Sequence, residues 1–392
     1  MNMPDHEQFA HAMLPKTSPD EFSRQEFVKS FKLHLATKVS PNNRTVYERD
    51  VKPAFEKKYG RVPKNRHEIR KAMTRHPHYQ TWSSLLRTSQ ELMWKACQVP
   101  VERQLDELID KADAKREGAG GTLALNSDLT MPSYLTAVDI HCQPGNYNAE
   151  VKANDVSAAA VYDAGVYLYA MGRLGPLNDD MGASKAEYIK RTFPDFKPKR
   201  ILDLGCAAGH STVPYKRAFP DAEVYAVDVA APMLRYAHAR AVSLGVPIHF
   251  SQQNAESMDF EDESFDLVMS HILIHETSTS ALRNIMKECR RLLKPAGLTV
   301  HSETPPYKGM DDYDAFILDW DAYNNNEPFW GKSHEFDPIG AAKQYDFDPS
   351  KTFEALIPSV FDEYQSKRTN VFQGGDFGGS GMWYVFGLWR GQ

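Results

Sequence analysis

Residues 200–209 read Arg-Ile-Leu-Asp-Leu-Gly-Cys-Ala-Ala-Gly, an apolar run that carries Asp203 and then breaks into small residues. Gly205, Ala207 and Gly209 let a ligand come close to the backbone, and the helical pattern that follows opens with free N–H groups facing that ligand. Alone, such a turn is ambiguous, because many nucleotide-binding folds share it. Three later stretches narrow it. Val224–Val227 ends in Asp228, an acid placed to accept hydrogen bonds from both hydroxyls of a ribose. Gln253-Asn254-Ala255-Glu256 offers a polar side chain and backbone able to read an adenine edge. Phe265–Met269 then runs into Ser270-His271-Ile272-Leu273-Ile274-His275-Glu276, delivering polar groups to the mouth of a site.

These residues need elements that bring them to one edge. Hydrophobic patterning predicts strands near 200–204, 223–228, 247–251, 265–270, 297–302, 368–373 and 382–389. Helices are expected near 210–219, 231–244, 279–293, 312–325 and 350–361. Such βα alternation implies a mainly parallel sheet covered on both faces, with ligands at the carboxyl ends of its strands. Only the short loop Gly374–Gly381 separates the last two strands, so they should form an antiparallel hairpin. Upstream, residues 1–121 read as a mainly helical module, with a long helix from Thr81 to Lys111 broken near Pro100 and a loop over Ala114–Gly121. Residues 122–198 read as a helical connecting or lid segment. The core is expected over 199–392, with an aromatic-rich insertion at about 304–365.

The ordered stretches ILDLGCAAGHST (201–212), VDVA (227–230), QNAE (253–256), FDLVMSHILIHE (265–276) and RLLKPAGLTV (291–300) resemble the class I S-adenosylmethionine-dependent methyltransferases. Within that class the likeness is to the broad group that includes the ubiquinone/menaquinone-biosynthesis enzymes. It covers 199–302 well and extends loosely to the C-terminal MWYVFGLWRG. The resemblance implies an α/β fold, a Rossmann-like doubly wound seven-stranded sheet with an antiparallel last strand, here with an N-terminal helical domain added. It implies S-adenosyl-L-methionine as cofactor, with Asp203, Gly205, Ala207 and Gly209 at its methionine end. Asp228 would hold the ribose, Asn254 and Ala255 would meet the adenine, and Val229, Ser270 and Tyr147 are also expected to bind the cofactor. Ala207 departs from the family pattern, which usually has glycine there. A dinucleotide-dehydrogenase reading fits less well, because the turn lacks a full GxGxxG and comes mid-chain.

Methyl transfer from a sulfonium is an in-line displacement, so positioning the acceptor is the main task, with a general base added for a hydroxyl. His271, His275 and Glu276 are the candidate catalytic groups, with His301 and Glu303 also pointing toward the site. Glu303-Thr-Pro-Pro-Tyr307 reads as a rigid turn rather than an amino-group methylation signature, since it follows the fifth core strand and not the fourth. His141-Cys-Gln-Pro-Gly-Asn-Tyr147 suits a water-excluding lid. Phe316, Trp320, Tyr323, Phe329, Trp330, Tyr345 and Phe347 suggest an acceptor pocket for an apolar or aromatic small molecule.

The net charge of −6 is unevenly spread. Residues 23–76 hold 15 Lys and Arg against five acids, a local +10 that leaves −16 on the remainder. This basic stretch reads as a solvated or docked helical surface, or as a dock for an anionic partner. Cys97, Cys142, Cys206 and Cys289 lack ligand-like spacing, so neither a disulfide framework nor a metal site is expected, and a cytoplasmic location is. No apolar run reaches the length of a membrane span. The expected partner is a small-molecule acceptor, with a homodimer and an acidic carrier protein kept as options and nucleic acid disfavoured. Two rival readings stand beside it: methylation of a macromolecular or carrier-tethered substrate docked by the basic module, and a non-catalytic cofactor-binding regulator.

Overall fold

The computed structural model describes residues 8–114, 121–361 and 382–391. Eight strands join one sheet: β1 (Thr122–Ala124), β2 (Arg200–Leu204), β3 (Glu223–Asp228), β4 (His249–Gln252), β5 (Phe265–His271), β6 (Leu293–Glu303), β7 (Phe353–Pro358) and β8 (Met382–Trp389). Their order across the sheet is β1-β4-β3-β2-β5-β6-β8-β7. Pairing is parallel from β1 through β6, and β8 runs antiparallel to both β6 and β7.

Parallel strands covered on both faces read as unbroken apolar runs, and the side chains of β2 show why. Ile201 packs with Val213, Leu234 and Ile189, on the face covered by helices Asp180–Thr192, Thr212–Ala218 and Ala231–Ser243. Leu202 and Leu204 pack with Ile285, Met286 and Cys289 of helix Thr279–Leu292 on the other face. The carboxyl ends of these strands therefore lie along one edge, with Asp203 opposite Ala226 and Asp228 two residues further on at the end of β3.

Two expectations change, and a third lies outside the described residues. Residues 353–358, expected inside a helix, form the edge strand β7; Ile357 is buried against Trp383 and Val385 of β8, and Pro358 ends the strand where no ladder bond is needed. Six residues are too few for periodicity to separate the two states. The expected strand at 368–373 and loop Gly374–Gly381 lie outside the described residues, as does most of the expected loop Ala114–Gly121. The three-residue β1, in a segment read as helical, adds an eighth strand beside β4.

The helix Pro77–Arg103 runs through Pro100 and stops at Gln104. Proline removes the hydrogen bond to the carbonyl four residues back, and the freed Ala96 oxygen accepts from the Gln25 amide at 3.2 Å instead. That helix, Pro19–His34 and Ser157–Tyr169 share a core of Val28, Met93, Trp94 and Leu168 that reaches Met233 and Tyr236 of the sheet layer. The basic stretch is docked on the acidic body. Arg44 pairs with Asp311, Arg66 with Glu335 and Arg70 with Asp319, over an apolar seam of Tyr47, Ile69 and Trp82 against Tyr313, Phe316 and Trp320. Among the described residues no helix is long and apolar enough to cross a membrane.

Candidate functional site

The turn after β2 is built from left-handed backbone. Gly205 has φ +65°, Ala207 φ +44° and Gly209 φ +74°. A Cβ at Gly205 would lie 2.7 Å from a Leu273 methyl carbon, the movable end of that side chain, so glycine is favoured there chiefly by its φ. Ala207 occupies a conformation that costs an L-residue roughly 1 kcal/mol. Its N–H donates to one Asp228 carboxylate oxygen at 2.9 Å, and the Ala230 N–H donates to the other at 2.9 Å. A carboxylate has about four lone-pair sites, so Asp228 keeps acceptor capacity beyond these two bonds. Burial pushes its carboxyl up to about 6. Asp203 is buried and accepts from the Thr212 hydroxyl at 2.5 Å.

Two cavities meet at this turn. Asp228, Val229, Asn254, Ala255, Tyr147 and Glu276 line the first. Trp94, Tyr169, Trp330 and Trp383 wall the second, with Asp203, His141 and His275. Gly205, Ala207, Tyr162, His271 and Ile272 belong to both and form the junction. His271 closes β5, with Asp203 Oδ1 at 3.5 Å from its Nδ1. Burial, helped by the nearby Lys185 charge, lowers its pKa to about 4, so the ring is neutral at ordinary pH.

On the wall of the second cavity a histidine–carboxylate cluster gathers residues from four parts of the chain. His141 lies at φ +52° in the short turn Ile140–Cys142; its Nδ1 is 2.7 Å from Glu327 Oε1 and its Nε2 3.2 Å from Glu276 Oε1. Tyr147 donates its hydroxyl to the same Glu276 oxygen at 2.8 Å. His275, buried in the turn Ile274–Glu276, has Nδ1 2.8 Å from Glu303 Oε2. The other Glu303 oxygen accepts the Ile274 N–H at 2.6 Å. Asn325 donates to Glu327 and to Asp321, each at 3.0 Å. Burial works against a charge on His141, but Glu327 and Glu276 outweigh it and raise its pKa well above the usual value.

Most of the expected residues thus share one edge, and some do not touch a cavity. Ser270 is fully buried, hydrogen-bonded to His301 at 2.8 Å and lining neither space, because the strand's alternation turns it into the sheet. Gly209 shapes the turn without lining either cavity. His301 is also a core residue, held between Ser270 and Thr299 at 2.8 Å each, and burial pushes its pKa down to about 3. Of the insertion aromatics only Trp330 reaches the second cavity; Phe316 and Trp320 are spent on the seam with the basic helices. The other aromatic walls come from Trp94, Tyr162 and Tyr169, whose helical spacing reads as ordinary core, and from Trp383. Glu327 carries no sequence signal that separates it from a surface acid.

Residues 201–297 match the family described as a methyltransferase domain. Over 109 residues the chain is 35% identical to the demethylmenaquinone methyltransferase of Thermus thermophilus, covering 28% of this chain and 49% of that one. It is 33% identical over 124 residues to the malonyl-[acyl-carrier protein] O-methyltransferase of Methylococcus capsulatus, covering 31% of this chain and 42% of the other. The chain spans about half the length of these curated relatives. Among solved structures, phosphoethanolamine N-methyltransferase 2 of Haemonchus contortus in complex with S-adenosyl-L-methionine aligns with TM-score 0.40 and 19% identity over 59% of this chain and 57% of that one.

Proposed function

We propose, with the methyltransferase domain over 201–297 as premise, that the chain transfers a methyl group from S-adenosylmethionine to a small-molecule acceptor, at an oxygen atom of an apolar or aromatic metabolite. What carries the reading is the junction of two cavities at Gly205, Ala207, Tyr162 and His271, one carrying Asp228 and Asn254 on its wall, the other walled by aromatic side chains. The cofactor fits the first. Its ribose would meet the spare lone pairs of Asp228, its adenine Asn254 and Ala255, and its methionine end the Asp203–Ala207 turn. Bound there, the cofactor supplies an electrophilic methyl group on a sulfonium.

The protein's own part is positioning and desolvation. The aromatic walls exclude water and present a flat apolar surface to the acceptor. His271 stands at the junction as a neutral imidazole, able to accept a hydrogen bond from an acceptor hydroxyl and hold its proton as the oxygen gains nucleophilic character. With a pKa near 4 it is a weak base, and most of the rate would come from alignment. The docked arginines at 44, 66 and 70 are already paired, which favours a free small molecule over a carrier held by the basic stretch.

Calorimetric titration with S-adenosylhomocysteine tests the cofactor half: the wild type should bind, and Asp228→Ala should lose about 100-fold or more in affinity, roughly 3 kcal/mol. No binding, or an unchanged variant, overturns the reading. Incubating the protein with labelled cofactor and metabolite extracts, then weighing what gains a methyl group, identifies the acceptor.

A further inference from the structure

The cluster beside the second cavity contains more unsatisfied donor capacity than hydrogen bonding explains. Each imidazole has its Nδ1 held by a glutamate, His141 by Glu327 at 2.7 Å and His275 by Glu303 at 2.8 Å. That arrangement turns both Nε2 atoms toward one oxygen, Glu276 Oε1, at 3.2 and 4.0 Å. His275 Nε2 and Glu327 Oε2 are fully buried, have no hydrogen-bond partner, and lie 3.8 Å apart. Separations of 3.8 and 4.0 Å are too long for hydrogen bonds, yet they suit donors sharing one cation at about 2.1 Å each. Among the described residues, the ion pairs of Glu276, Glu303 and Glu327 are with histidines only, and the Lys185 charge acts on Glu303 without pairing with it.

We infer that His141, His275 and Glu276 are the ligands of a divalent first-row transition-metal cation, against the sequence expectation of no metal. Their donor atoms all lie within 4.8 Å of one another, so side-chain shifts of about half an ångström bring them onto one ion with bonds of about 2.1 Å. Two imidazoles and a carboxylate, each held by an outer partner, make a three-ligand set that leaves coordination positions open. Glu303 and Glu327 are those outer partners for the histidines, and Tyr147 is the one for Glu276. Glu327 Oε2 is a further donor within reach. His141 and His275 face the aromatic cavity and Glu276 the other, so the open positions fall where an acceptor's oxygen atoms would enter. This last point rests on the proposed methyl transfer and deepens it, naming the acceptor class as one with a metal-binding oxygen such as a phenolate or enolate. The ligand set itself stands without it.

The test uses the full-length protein, stripped with a chelator and titrated with Co²⁺ in the absence of cofactor, read by visible ligand-field absorption and by metal analysis after dialysis. About one equivalent should bind, with two exchangeable imidazole N–H protons showing large paramagnetic shifts. His275→Ala should weaken Co²⁺ binding about 100-fold or more, and Glu303→Gln, which only repositions His275, about tenfold. In parallel, S-adenosylhomocysteine affinity of His275→Ala should stay within about threefold of wild type, which reports that the variant is folded. Wild type that takes up no Co²⁺ overturns the inference even if it binds S-adenosylhomocysteine normally, as does stoichiometric uptake unaffected by His275→Ala. Co²⁺ uptake without S-adenosylhomocysteine binding would leave the metal site standing and instead overturn the methyl-transfer reading.

Discussion

Two buried histidine–carboxylate clusters flank the turn after β2, and they are built to opposite ends. In one, the single carboxylate of Asp163 accepts from Gln8, His11, Asn178, His210 and Tyr236 at 2.7 to 3.2 Å. Burial alone would raise its pKa, but His210 and His11 hold it well below the usual carboxylate range. In the other, at least three carboxylates surround His141 and His275, and a buried nitrogen and a buried oxygen remain without partners. The first cluster fastens the N-terminal residues to helix Ser157–Tyr169 and to the turn itself. The second opens on a cavity. Both Asp163 oxygens are bonded, although His11 Nδ1 and Asn178 Oδ1 beside it have no partner. Glu327 Oε2, by contrast, is a carboxylate oxygen left without one, a difference that fits the proposed metal site.

Asp163→Ala is the strongest way to break this contrast. It should cost about 3 to 5 kcal/mol by leaving buried donors on His11, His210 and Tyr236 unpaired, measured by urea unfolding. Glu276→Gln, made in the unsaturated cluster, should cost only about 1 kcal/mol or less in the same experiment, since its neighbours are already incompletely matched. Equal losses would erase the distinction between the two clusters.

A pH series sharpens the contrast at the first cavity. The Asp228 carboxyl is raised to about 6, so it takes up a proton as pH falls through that value. Cofactor affinity should therefore drop about tenfold between about pH 7 and about pH 5. A raised carboxyl gives the native state more protons than the unfolded chain. The unliganded protein should thus lose this group's stability contribution as pH rises from about 4 to about 6, and Asp228→Asn should flatten that slope. Asp163, with its pKa depressed, contributes in the opposite sense, adding stability above the unfolded carboxylate pKa of about 4.

The smallest effect is at Ala207. Relieving its positive φ with Ala207→Gly should stabilise the fold by about 0.5 to 1 kcal/mol, seen as a rise in Tm, without altering either cluster. A loss of stability would mean that the methyl group packs usefully at the junction.

The βα order from β2 to β6 was legible because each step is local. A buried parallel strand needs an unbroken apolar run, its helix needs a 3.6-residue stripe, and the ligand-facing residue must follow the strand's end. Asp203, Gly205, Asp228, Asn254 and His271 could be placed that way, and they do line the cavities. Ser270 failed by one step of strand alternation, which short-range patterning does not resolve when both faces are buried. Residues 353–358 failed because a six-residue apolar stretch suits either state until β8 claims it.

The amino-acid sequence by itself determined the doubly wound core and the edge where a ligand binds, because periodicity and turn chemistry act over a few residues. Only the tertiary structure brought His141, His275, Glu276, Glu303 and Glu327 into one cluster. It alone turned the basic stretch onto the acidic insertion and drew the cavity's aromatic walls from helices that look like plain core. Their convergence depends on packing between elements far apart along the chain, and no spacing within the chain encodes it.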